Sequence, residues 1–215
     1  CITATIGTTA TTSVDPVEEI ADIAERYGIW LHVDAAYAGP CAVLPEMAAH
    51  FKGIERADSL VMNPHKWMSV PIDLSAFFTR KPDVLRQAFS LIPDYLKTTD
   101  DAVNLMDYSV VLGRRFRSLK LWFVMRAMGR EGLAAMLRDH CRWAQELAAR
   151  IEAHPKFELF TPVNFSLVCF RYKGADEENR AIADRVNASG VAFLMPTVLR
   201  GQAVIRLAIG NIRTT

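Results

Sequence analysis

Apolar positions along the first ninety residues fall into short blocks whose spacing switches between strand and helix periods. Ile2 to Ile6 reads as a strand. Asp15-Pro16-Val17-Glu18 signals a helix start, with Asp as N-cap, Pro at the first helical position and Glu at N3. Val17, Ile20, Ala24 and Tyr27 follow at helical spacing, and Gly28 supplies the stop. Ile29 to Asp34 is the next strand, so the pattern predicts a right-handed parallel crossover. A second helix is expected near Glu46 to Phe51 and a third strand over Ser59 to Met62. Leu74 to Thr79 reads as a strand and Pro82 to Phe89 as a short helix.

Ser90 to Asn104 shows no sustained period and mixes Pro93, Tyr95, Lys97 and Asp100-Asp101. Long irregular segments of this kind serve either as lids or as ordinary surface connections. Arg117 to Met128 and Glu131 to Ala153 have helical spacing, interrupted at Gly129. Beyond Pro155 a small α/β unit is expected: strands Phe157 to Phe160 and Ser166 to Tyr172, helix Asp176 to Ala188, then strands Val191 to Leu194 and Val204 to Ala208. The fold class is α/β, with one unit over 1–116 and connecting helices plus a small domain over 117–215.

Composition narrows the possible functions. The 215 residues suffice for one large domain or one and a half smaller ones. With 25 basic and 24 acidic residues there is no field for gripping nucleic acid. The run Arg114-Arg115-Phe116-Arg117 is better read as a solvated or interface salt-bridge cluster. No apolar run reaches the roughly 18 residues of a membrane span. Cys1, Cys41, Cys141 and Cys169 have no zinc or disulfide spacing, so reduced thiols in the cytoplasm are expected.

The chemistry lies at two strand ends. Lys66 follows the strand Ser59 to Met62, after a turn that Pro64 enforces on Asn63. Trp30 to Tyr37 reads as a buried strand delivering Asp34 at its carboxyl end. Carboxyl ends of strands are where open α/β sheets bind ligands. Taken alone, Lys66 reads as a solvated amine and Asp34 as a helix cap or the partner of an Arg. Together, a lysine nucleophile and a carboxylate that should face a cation suggest pyridoxal phosphate, with a Schiff-base lysine and an acid for the ring nitrogen.

His32-Val33-Asp34-Ala35-Ala36-Tyr37-Ala38-Gly39, followed by Asn63-Pro64-His65-Lys66-Trp67, resembles the group II pyridoxal-phosphate decarboxylases, in particular the aromatic-L-amino-acid branch. Ala4 to Thr9 and Leu112 to Lys120 extend the resemblance over almost the whole chain. It implies a fold-type-I large domain, incomplete here, with a small α/β carboxyl-terminal domain. The chain then corresponds to the carboxyl-terminal part of a longer enzyme, and the ring-stacking histidine, phosphate loop and substrate pocket of such enzymes precede residue 1.

The resemblance also implies roles. Lys66 would bind pyridoxal phosphate, with burial favouring its neutral form, and Asp34 would keep the ring nitrogen protonated. Ala36, two residues along the strand, would lie against the ring. His65, Asn63 and Thr9 match cofactor-contacting positions, and His32 lies on the Asp34 face by alternation. Tyr95 matches a loop tyrosine that reaches over the partner subunit's site and protonates Cα. Gly113 stands where histidine decarboxylases typically carry serine, and leans toward a bulkier aromatic substrate. The implied activity is decarboxylation of an aromatic L-amino acid by a homodimer with its site at the interface. Alternatives are histidine decarboxylation, an aromatic aldehyde synthase of the same fold, or an inactive dimerisation remnant.

Overall fold

The computed structural model of the chain describes residues 1–90 and 103–214. Two four-stranded sheets carry it. In the first, β1 (Ile2–Thr5), β2 (Leu31–Asp34) and β3 (Ser59–Met62) run parallel, and β4 (Ala76–Thr79) closes the edge antiparallel to β3. In the second, β5 (Phe157–Leu159), β6 (Leu167–Tyr172), β8 (Gln202–Ala208) and β7 (Met195–Leu199) are antiparallel in that order.

Helix α1 (Val17–Tyr27) makes the crossover from β1 to β2 and ends at Gly28, whose left-handed backbone lets its N–H reach the carbonyls of Ala24 and Glu25. Asp15 is not the cap that the sequence suggests. Pro16 occupies the cap position, and Asp15 turns back to accept the Thr5 N–H at 2.8 Å, bracing strand against helix.

The helix expected near Glu46 is a 3-10 segment, Pro45–Phe51, set between two more at Gly39–Val43 and Ile54–Arg56. Prolines 40 and 45 start the first two, and Gly53, at φ +83°, leads into the third. Pieces this short cannot recover the cost of nucleating an α-helix. They instead fold Cys41, Leu44, Phe51 and Ala57 into the core beneath the first sheet, beside Ala4, Ile6, Leu31 and Val33.

After β3 come α2 (Pro64–Trp67) and α3 (Pro82–Phe89), then α4 (Arg117–Ala153), which breaks at Gly129 as its spacing implies. Beyond the break α4 serves both cores, giving Ala134, Leu137 and Cys141 to the first and Ala144 and Ile151 to the second. Helix α5 (Asp176–Ser189) packs on the second sheet through Ala183.

The strand expected at Val191 to Leu194 lies one step further on, at Met195–Leu199. Asn187 clamps Leu194 through both its N–H and its carbonyl, so the preceding residues serve as a connection. Arg200 and Gly201 both have positive φ, a two-residue hairpin turn that pairs Leu199 with Gln202 and sets the register backward from there. Pro196 is tolerated because β7 is an edge strand. No described helix is long and apolar enough to cross a membrane.

Candidate active site

Parallel pairing aligns Thr5 with Asp34 and Asp34 with Val61, so β1, β2 and β3 present their carboxyl ends side by side. Two backbone bonds continue the alignment past the strands: Ala35 N–H to Val61 O and Asn63 N–H to Ala36 O, each 3.0 Å. Lys66 stands on the single turn of α2 that Pro64 starts and is therefore held beside Asp34 by the backbone itself.

A cavity of about 160 Å³ opens there. Thr5 lines it from the end of β1, Gly7, Thr8, Thr9 and Thr12 from the turn that follows, Asp34, Ala36 and Tyr37 from the end of β2 and the residues after it, Lys66 from α2, and Leu167, Arg206 and Ala208 from the second sheet. The turn is set by its own bonds, with Gly7 and Thr8 donating to the Ser13 carbonyl and Ser13 N–H donating to Thr8 Oγ1 at 2.9 Å.

Asp34 is half-buried and accepts the Ala36 N–H on Oδ1 at 2.9 Å. Lys66 is exposed, not buried as expected, because α2 projects it from the sheet edge toward the cavity. Tyr37 stacks on Trp67, centroids 4.8 Å apart, and its hydroxyl shares a 2.6 Å hydrogen bond with Ser166. Burial pushes the Tyr37 phenol well above its ordinary range, with the Ser166 bond only a partial offset, so the ring is wall rather than acid.

Arg206 was not singled out by sequence reasoning. From β8 its Nη2 donates to the Thr9 carbonyl at 2.6 Å and its Nε to the Ala10 carbonyl at 2.9 Å. The available signal was a cation inside the apolar run Val204 to Ala208.

Asn63 and His65 are not among the residues lining this cavity. Asn63 Oδ1 accepts from the Ser75 hydroxyl, and His65 Nδ1 lies on the Leu74 backbone, whose N–H is 3.1 Å away. His32 supports Ser59 rather than Asp34: its Nδ1 is 2.8 Å from Ser59 Oγ, and its ring stacks on Phe77. Strand alternation gives the face of a side chain but not which neighbour it meets.

Gly113 lines a separate, open cavity of about 610 Å³ with Asp73, Ser109, Val111 and Arg114. There Arg117 pairs with Asp73 at 2.9 Å and holds its carboxyl down at about 2. Tyr95 lies outside the described residues.

The main cavity suits pyridoxal phosphate. The Lys66 side chain has no hydrogen-bond or ion-pair partner among the described residues, Asp34 has one oxygen uncommitted there, and Ala36 adds only a methyl group to the lining beside them. Two cations against one anion in the lining favour an anionic guest.

Residues 1–173 match the family described as pyridoxal-dependent decarboxylase conserved domain. The aromatic-L-amino-acid decarboxylase of Sus scrofa is 44% identical over 212 residues, 97% of this chain and 44% of that protein. The phenylacetaldehyde synthase of Arabidopsis thaliana is 43% identical over 218 residues, 96% of this chain and 44% of that protein. The crystal structure of Oryza sativa TDC with PLP and tryptamine superposes with a TM-score of 0.91 at 39% identity, covering 97% of this chain and 46% of that one. The chain thus spans about half the length of the curated relatives it matches.

Proposed function

This chain belongs to the pyridoxal-dependent decarboxylases, and from that premise we propose that the protein carrying it converts an aromatic L-amino acid to the corresponding amine and CO₂. The observation that supports this most directly is the meeting of Lys66, Asp34 and Ala36 in one cavity at adjoining strand ends. When bound, pyridoxal phosphate supplies the electron sink for the pair left as CO₂ departs.

The chain's own residues do the rest. Lys66 is the amine that would hold the cofactor and yield it to the substrate amine. Asp34, with Oδ1 fixed by the Ala36 N–H, would hold a proton on the ring nitrogen through its remaining carboxylate oxygen. Ala36 would be a surface against which the ring could lie. Tyr95 of the partner subunit in a homodimer delivers a proton to substrate Cα. Similarity to a tryptophan decarboxylase of Catharanthus roseus solved with L-tryptophan supports an aromatic substrate class, whereas Gly113, set in the separate cavity, lends this reading no support from geometry.

A second reading, oxidative conversion to an aldehyde, draws on the similarity to phenylacetaldehyde synthase. Tyr95 favours decarboxylation, because a phenol can return the proton to Cα that a phenylalanine cannot.

The test is borohydride reduction of the full-length protein with pyridoxal phosphate, peptide mapping of the adduct, and product analysis with Phe, Tyr, Trp, Dopa and His. The adduct should map to Lys66 and disappear in Lys66→Ala, and amine should form from an aromatic substrate. An adduct at another lysine would remove Lys66 from the mechanism. Aldehyde and peroxide as the main products would select the second reading.

A further inference from the structure

We propose that His140 is a positioning residue for Lys66, acting through the indole N–H of Trp67. The proposal rests on the assignment of Lys66 as the cofactor amine. Helix α2 is four residues long, Pro64–Trp67, and so short a turn does not hold its own geometry. Its anchor is Trp67, the residue after Lys66, which is fully buried.

Tyr37 stacks on one face of the indole, its plane within 6° and its centroid 4.8 Å away, and Phe165 meets it edge-on at 6.4 Å. Stacking and edge contacts leave a ring free to slide within its own plane. A directional bond removes that freedom: Trp67 Nε1–H donates to His140 Nδ1 at 3.0 Å, and the two rings lie within 6° of one another.

His140 is itself 2% exposed on α4, and the Asn211 backbone carbonyl engages it as well. Accepting the indole N–H requires an unprotonated Nδ1, so the ring carries one proton, a form that burial favours by holding its pKa below the ordinary imidazole range. With Nδ1 accepting from Trp67, that proton sits on Nε2. Loss of the acceptor would strand a buried indole N–H, and the indole, with Lys66 attached, would move to satisfy it.

The experiment follows the rate at which full-length apoprotein, mixed with pyridoxal phosphate, forms a borohydride-trappable adduct at Lys66. His140→Leu should slow capture about tenfold, the effect of losing one well-made hydrogen bond. Trp67→Phe keeps the stack but lacks the N–H and should slow capture similarly, and the double variant should be no slower than Trp67→Phe. His140→Gln can accept with Oε1 and donate with Nε2, so its rate should stay within about twofold of the parent.

A purely structural role would make Leu and Gln alike. Capture in the parent at a lysine other than Lys66 would overturn the functional reading and this proposal with it. Capture at Lys66 in the parent, with unchanged rates in His140→Leu and Trp67→Phe, would overturn the positioning role alone. If His140→Leu does not fold, Trp67→Phe and His140→Gln decide the matter.

Discussion

The electrostatics of a single carboxylate give the sharpest expectation at the residue scale. Asp34 is fixed on one oxygen by the Ala36 N–H, so an asparagine can take the same place through its carbonyl. What it cannot do is hold the ring nitrogen as a pyridinium. In the full-length protein, Asp34→Asn should therefore retain cofactor capture at Lys66 while kcat falls by roughly 10²–10³-fold, about 3–4 kcal/mol of barrier. Titrated cofactor content and steady-state kinetics check this, and near-parent kcat would take Asp34 out of the chemistry. Asp34 and Lys66 were legible because each follows an apolar run at a strand end, where the chain itself announces the position. Arg206 and His140 were not, since nothing local says that β8 reaches the Thr9 turn or that Trp67 meets a helix 73 residues away.

Among the elements, the connection from β2 to β3 depends on one close approach. Gly53 has φ +83°, and a Cβ there would stand 2.7 Å from Glu18 Cα in α1. Backbone cannot yield as a side-chain tip does. Gly53→Ala should cost about 2–5 kcal/mol, combining left-handed strain with overpacking. Gly190, also left-handed but with nothing within 4 Å of its Cβ position, should cost only about 1 kcal/mol on the same change. Paired urea melts of Gly53→Ala and Gly190→Ala measure the difference, and equal midpoints would refute the close contact. Secondary structure was readable where Gly or Pro sharply separates two apolar runs, as Gly28 does for α1 and β2 and Pro64 does after β3. It was misread where a side chain took a tertiary role, as Asp15 does for Thr5 and Asn187 for Leu194.

For the whole molecule, the proposed dimer makes a quantitative claim about shared sites. If Lys66 comes from one subunit and Tyr95 from its partner, a mixed dimer of Lys66→Ala and Tyr95→Phe chains holds one doubly altered site and one intact site. Random remixing of the two variants should then restore about a quarter of parental amine formation, half the dimers being mixed and each having one good site. No recovery after verified subunit exchange would place both groups in one chain. Within a single chain, the cavity wall joins sequence-distant pieces, since Arg206 grips the Thr9 carbonyl across 197 residues. Closing so large a loop is entropically slow compared with forming β1–α1–β2 or the β7–β8 hairpin, both of which are local. A chain returning from denaturant should therefore complete its sheets before the Arg206 wall of the binding cavity closes. A cofactor held in the cavity would then favour the state in which Arg206 has closed its wall, and would act as a trap for the finished fold rather than a nucleus for folding.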